Sequence, residues 1–183
     1  KTEGLLVLER MAQWRGKDPS FRPVFTQFLA NLFRRDPLGR KFVDNIGLEK
    51  NLPLAECLRR LRFLMALVPG VFCLDKTWGF GVVRRMEEYL GKVVIDFDSK
   101  PGHEMAFAYV AETLKVVGPD HILAIKHQAP DRLAVMVQTQ PEEIVRMVLR
   151  CYGPLPIAMI QDFLAQQVLG ATEWKVFWET ARK

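Results

Sequence analysis

Hydrophobic residues recur every three or four positions over residues 1–68, change to every second position mid-chain, and return to the longer period after residue 128. The first spacing lines one stripe of an α-helix and the second lines one face of a β-strand. Leu5, Leu6, Leu8, Met11 and Ala12 mark a first helix that ends near Gly16. Asp18-Pro19 offers a side-chain acceptor and a residue preset for a first helical turn. It predicts a second helix through Phe21, Val24, Phe25, Phe28, Leu29, Leu32 and Phe33. The same signal at Asp36-Pro37 opens a shorter helix that stops at Gly47. A fourth begins near Pro53, with Cys57, Leu58, Leu61, Leu64, Met65 and Val68 inward and Glu56, Arg59, Arg60 and Arg62 outward. Short connections predict antiparallel hairpins stacked as a small helical array, without a fixed repeat period.

Pro69-Gly70 closes this part. Val71 to Leu74 is a short apolar run, and Gly79 and Gly81 bracket Phe80 as a bulge or sharp bend requires. Val82, Val83 and Met86 continue that strand, and Glu88 to Gly91 is turn material. In the next strand Val93, Ile95 and Phe97 share one face while Val94, Asp96 and Asp98 share the other. Ser99-Lys100-Pro101-Gly102 predicts a turn, His103 to Phe107 a third strand, Ala108 to Leu114 a helical lid, and Asp120 to Ile125 a closing strand. Closure hides the edges that a small open sheet exposes. Further helices are predicted at Pro130-Asp131 and at Gln140-Pro141-Glu142-Glu143, whose acidic first turn and late Arg150 match the helix dipole. Gly153-Pro154 stops the latter. Ile157, Ile160, Phe163, Leu164 and Val168 define another helix, stopped by Gly170. Thr172 is placed to cap a last helix with Trp174, Phe177 and Trp178 on one face. The expected fold class is α+β, with a small antiparallel barrel at 69–127 between helical segments at 1–68 and 128–183.

Composition adds few constraints. The chain has 183 residues, 49% of them hydrophobic, as in an ordinary globular protein. No apolar run reaches the ~18 residues that a membrane-spanning helix needs. The absence of an initiating Met and the polar ending Thr180-Ala181-Arg182-Lys183 point to a segment of a longer protein, and no signal peptide is visible. Cys57, Cys73 and Cys151 are odd in number, far apart and flanked by apolar residues, which predicts buried thiols in a reducing, cytoplasmic setting. The net charge of +5 favours acidic partners, with local clusters at Arg34-Arg35, Arg40-Lys41, Arg59-Arg60-Arg62 and Arg84-Arg85.

No catalytic set stands out. His103, His121 and His127 with Asp96, Asp98 and Asp120 are the metal candidates, but no two histidines have helical i, i+4 spacing, and no metal is expected. Asp96 and Asp98 share a strand face, the arrangement of an acid–base pair, and equally that of a solvated barrel face. The only serines are Ser20 and Ser99, and no nucleophile motif is present. Gly79-Phe80-Gly81 lacks the residues that cradle phosphate and leads into a strand, so no nucleotide cofactor or small-molecule substrate is expected. Trp78 and Phe80 with Arg84, Arg85 and Lys92 are the candidates for partner contact, as base stackers with phosphate-binding cations or as anchors for a protein. Both rings equally suit the core of a small barrel.

Trp78-Gly79-Phe80-Gly81-Val82-Val83, Val93-Val94-Ile95-Asp96-Phe97 and Ala111-Glu112-Thr113-Leu114 together resemble the Tudor-like (SH3-like) modules of bacterial transcription and repair factors. These include CarD-like regulators, the transcription-repair coupling factor and the C-terminus of repair helicases. The resemblance implies an SH3/Tudor-like barrel that docks to RNA polymerase, partly by extending a sheet edge. From about residue 70 the chain is also similar to the long N-terminal region of extended Gre-type (GreA/GreB-like) transcription elongation factors. That likeness rests on Val94-Ile95-Asp96-Phe97, Gly102-His103-Glu104-Met105, Asp120-His121-Ile122-Leu123-Ala124 and the run from Glu173 to Lys183. The acidic-tipped coiled coil by which Gre factors support transcript cleavage has no counterpart here. The resemblance thus implies a non-catalytic accessory region that binds RNA polymerase or its nucleic acid. Two alternatives remain open: direct nucleic-acid binding through the basic faces around Arg34-Arg35 and Arg59–Arg62, and a helical scaffold for a further domain. No membrane partner is expected.

Overall fold

The structure, a computed structural model, describes residues 1–170 and 173–182 and divides into two compact units, Lys1–Val116 and Val117–Lys183. In the first unit four helices precede a sheet: α1 (Thr2–Arg15), α2 (Phe21–Leu32), α3 (Pro37–Asn45) and α4 (Leu54–Ala66). The sheet comprises β1 (Phe72–Asp75), β2 (Gly79–Glu87), β3 (Lys92–Phe97), β4 (Lys100–Ala106) and β5 (Lys115–Val117), with α5 (Phe107–Thr113) between the last two strands. Helices and sheet share one hydrophobic core. Leu8, Phe25, Leu29, Ile46, Leu61 and Leu64 from the helices join Cys73, Val83, Val93, Ile95 and Phe97 from the inner sheet face, and Phe107 and Val110 from α5. An amphipathic helix and a half-buried sheet each leave an apolar surface, and packing them together removes both from water.

Helix starts follow the predicted chemistry with one displacement. Asp36 caps α3 by accepting the Gly39 N–H at 2.9 Å, with Pro37 in the first turn. Asp18 instead accepts from the backbone and hydroxyl of Ser20, forming a turn before α2 begins at Phe21. The inward stripes are narrower than predicted: Leu6, Val24, Phe28, Met65 and Val68 are exposed. Arg60, expected outside, is only 8% exposed because α5 covers this part of α4; its guanidinium meets Glu56 at 2.8 Å and Glu112 at 3.7 Å.

The strand order is β4-β3-β2-β1-β5, with β1–β2, β2–β3 and β3–β4 antiparallel. The coarse α+β expectation holds, but the sheet is not closed: β4 and β5 are its two edges. The predicted final strand is also displaced. Lys115–Val117 supplies β5, whereas Asp120 to Ile125 forms a turn and the start of α6 (Ile122–Gln128). The reason is local: the His121 imidazole Nδ1 accepts the Leu123 N–H at 3.3 Å and caps that helix.

Two further strand details differ. The β2 bulge falls at Arg84, between Val83 and Arg85, and not at the double glycine. Gly79, the first residue of β2, has φ +76°. Gly81 faces the core, where a Cβ would lie 2.6 Å from Phe97 Cδ1 and 2.9 Å from Ile95 Cγ2. The predicted turn at Ser99–Gly102 is tighter: Phe97 pairs with Lys100, so Asp98-Ser99 makes the turn and Pro101 sits in β4. A proline, which has no N–H to donate, is tolerated on such an edge strand.

The second unit contains α6, α7 (Pro130–Thr139), α8 (Pro141–Tyr152), α9 (Ile157–Gln167) and α10 (Trp174–Ala181). Ile122, Ala124, Leu133, Ile144, Val148, Ile160, Leu164 and Phe177 are among its buried apolar residues. Gly153, at φ +79°, ends α8 in a conformation that favours glycine. Trp174 stacks on Trp178 at 5.1 Å and lies 5.9 Å from Phe177, forming the expected aromatic face. The suggested cap Thr172 lies outside the described residues.

Candidate functional site

The five sequence candidates do not form one cluster of free side chains. Trp78 is held by the turn that precedes it. Buried Asp75 accepts the N–H groups of Thr77 at 2.7 Å and Trp78 at 3.1 Å, and the Ser99 hydroxyl donates to the Trp78 carbonyl at 3.0 Å. The half-buried indole lies 4.6 Å from the His103 ring, with the Lys100 ammonium 4.4 Å from its centroid. Partial burial and the Lys100 charge hold the His103 imidazole below its ordinary pKa. His103 and Lys100 both belong to β4, so Trp78 packs against an edge strand.

Phe80 is different. It is 4% exposed and stacked on Phe72 with centroids 5.7 Å apart, so it packs the outer sheet face and presents no ring to solvent. Val94, on the same face, is 2% exposed. Arg84 and Arg85 are both exposed because the bulge breaks strand alternation and turns successive side chains outward. Each has a carboxylate partner: Arg84 lies 3.7 Å from Asp96, and Arg85 lies 2.6 Å from Glu87. Lys92 lies 3.0 Å from Glu104, across the β3–β4 ladder, and its hydrogen bond lowers the Glu104 pKa. This surface is charge-balanced, and it carries an aromatic anchor beside an open strand edge.

The carboxylate candidates have structural partners. Asp96 accepts the Gly102 N–H at 2.7 Å, where Gly102 at φ +69° adjusts the β4 register. The exposed Asp98 sits in the β3–β4 turn, its N–H donating to the Phe80 carbonyl at 3.1 Å. His121 caps α6, and its ring lies 5.4 Å from Tyr152. Among the described residues no group of three or more His, Cys, Asp or Glu side chains converges as metal ligands. Among the described residues no helix is long and apolar enough to cross a membrane. All three cysteines are free; Cys57 and Cys73 are buried, and burial pushes the Cys73 thiol up to about 12.

Sequence reasoning missed Asp75, whose signal was an aspartate placed to accept amides two and three residues on. It also missed Lys100 and His103 as neighbours of Trp78, which required the strand register.

The second unit has an even balance of charge. Residues 117–183 hold seven of the 26 basic and seven of the 21 acidic side chains, so the whole +5 surplus lies in residues 1–116. Both arginines of α8, Arg146 and Arg150, face Glu143. A groove of about 430 Å³ is lined by Val137, Pro141, Leu169, Val176 and Phe177, among others.

Comparison with known proteins finds one domain match and several distant relatives. Residues 123–183 match the GRAD helix-turn-helix domain. Over 164 residues, 88% of the chain, it is 27% identical to the transcription elongation factor GreA of Chlamydia pneumoniae, covering 23% of that protein. It is 24% identical to the GreA of Chlamydia trachomatis over 75% of the chain and 21% identical to that of Borreliella burgdorferi over 94%, covering 19% of each. The likeness therefore reaches the first helices, beyond the region from residue 70 on which the sequence motifs rest. The chain spans about a fifth of the length of these curated relatives. No solved structure matches it.

Proposed function

We propose that this chain is a non-catalytic accessory region of a bacterial transcription elongation factor, acting in the cytoplasm, and that its Tudor-like sheet docks to RNA polymerase. The observation that carries the proposal is the half-buried Trp78 ring packed on His103 and Lys100 of β4. An open edge strand offers unpaired backbone groups to an incoming strand, and an adjacent aromatic supplies apolar anchoring. Arg84, Arg85 and Lys92 contribute orientation from the rim, while Phe80, enclosed against Phe72, is not a contact residue. Their carboxylate partners make this surface a poor polyanion site and a suitable rim for a protein interface. The helix-turn-helix unit fits the same reading: with no surplus of positive charge and with exposed Val135, Ile157, Met159 and Val176, it is better suited to protein contact than to phosphates.

The test is binding of the chain to core RNA polymerase by interferometry. Trp78→Ala is expected to weaken binding by about 30-fold, the scale of an interface hot spot. Lys100→Glu, at an exposed position that leaves the core intact, is expected to weaken it as well. Unchanged affinity in both variants would remove the docking face, and no affinity in the wild-type chain would leave the scaffold reading.

A further inference from the structure

A second site lies elsewhere in the first unit and uses none of the residues given to polymerase docking. The α2–α3 segment and the β2–β3 turn line a groove of about 480 Å³, with Leu29, Phe33, Pro37 and Val43 supplying apolar surface. Arg40, Lys41, Asp44 and Glu88 supply charge, and Tyr89 stands at its margin. Tyr89 is 92% exposed and the adjacent Leu90 is 64% exposed. A four-residue turn does not need either side chain for its geometry, and the Tyr89 ring gains almost no burial from this fold.

The ion pairs show which positive charge is available. Arg59 and Arg60 face Glu56, Arg62 faces Glu9, and the sheet cations face Asp96, Glu87 and Glu104. By contrast, Arg34, Arg35, Arg40 and Lys41 form no ion pair among the described residues. Arg34 and Arg35 occupy the turn between the lining residues Phe33 and Pro37. Asp36, in the middle of this segment, is already engaged by the Gly39 N–H and the Lys1 ammonium. Other cations of the unit are also without an ion pair among the described residues, Arg10, Lys17, Lys50, Lys76 and Lys115 included, but they are scattered along the chain, whereas these four fall within eight consecutive positions beside one apolar groove with an exposed aromatic ring.

We propose that this groove binds single-stranded nucleic acid. One base stacks on Tyr89 over the apolar floor, and the flanking phosphates meet Arg34, Arg35, Arg40 and Lys41. The carboxylates of Asp44 and Glu88 accept hydrogen bonds from base amino groups, which a duplex keeps engaged in pairing. The side chains of an acidic peptide offer those two carboxylates no donor, whereas a nucleotide presents base amino groups to them and phosphates to the cations. That decides between the two classes of anionic polymer that the cations alone would accept.

The experiment is fluorescence anisotropy of the full chain with labelled single-stranded RNA and DNA and with the matching duplex, from about 50 to about 200 mM salt. Binding of a single strand in preference to the duplex is expected. Tyr89→Ala is expected to weaken it about tenfold, the scale of one stacked base, while Tyr89→Phe retains it. Arg34→Ala with Arg40→Ala is expected to lower the log–log salt slope by about 1.4, from about 0.7 per phosphate contact. All these side chains except half-buried Lys41, which is left in place, are exposed, so thermal melting of the variants should match wild type. Absence of binding at low salt, tighter binding of the duplex, variants indistinguishable from wild type, or Tyr89-dependent binding of an acidic peptide alone would each overturn the assignment. The Trp78 and Lys100 variants keep this activity, so failure of this site and failure of polymerase docking are told apart.

Discussion

Gly81 shows how a single position can serve a different purpose from the one its motif suggests. Together with Gly79 it predicted a bulge or bend, and only Gly79 needs positive φ. Gly81 lacks a side chain because the Phe97 ring and the Ile95 methyl occupy the space where a Cβ would stand. Both neighbours are fully buried core residues, so they have little room to yield. Gly81→Ala is expected to lower unfolding free energy by about 1–3 kcal/mol, measured by urea denaturation. Trp78 is the converse case. It was legible as a candidate from its place in a glycine-rich turn, but its neighbours His103 and Lys100 lie more than twenty residues away in sequence. Spacing along the chain carries no information about such contacts.

Among the elements, α4 and α5 are joined by a network that amphipathic patterning placed outside. Glu56 accepts from Arg59 and Arg60, Arg59 also donates to the Ala111 carbonyl at 3.1 Å, and Arg60 approaches Glu112. Hydrogen bonds from Arg59 above all, then from Arg60, bring the Glu56 pKa from 4.5 to about 2. A carboxylate whose folded pKa is depressed stabilises the fold above its unfolded value and loses that contribution as pH falls through its folded value. The window is therefore from 4.5 down to about 2. Glu56→Gln is expected to be less stable than wild type at neutral pH, with the gap closing as pH falls through this range. Thermal melting at several pH values measures it; a gap independent of pH would exclude the ion-pair account. The shift of the last strand belongs to this scale too. A helix cap at His121 outweighed an apolar run that periodicity assigned to a strand, because short runs fit either element.

At the scale of the whole molecule, charge is the distinguishing property. The surplus lies in residues 1–116; ion pairs cancel part of it in place, and among the cations they leave, Arg34, Arg35, Arg40 and Lys41 form the one group of four within eight consecutive positions. Two double variants that each remove two positive charges separate distribution from net charge. Arg34→Ala with Arg35→Ala is expected to elute from heparin at markedly lower salt than wild type. Arg146→Ala with Arg150→Ala, which removes cations already facing Glu143, is expected to shift elution less. Equal shifts would mean that net charge alone governs polyanion affinity.

The chain by itself determined where most helices and strands fall, the last strand excepted, because period, caps and turn residues act over a few neighbouring positions. Asp36-Pro37, Pro130, Pro141, Gly153 and the alternation through Val93–Phe97 all specify local conformation that the fold keeps. The tertiary structure alone decided that the sheet stays open with β4 at its edge and that the first helices and the sheet bury one core. It also decided which of five partner candidates remain accessible: Phe80 is enclosed, and the arginines are paired. Those outcomes depend on contacts between residues distant along the chain, whose energies come from shared burial and charge proximity, and neither is encoded in the spacing of any one segment.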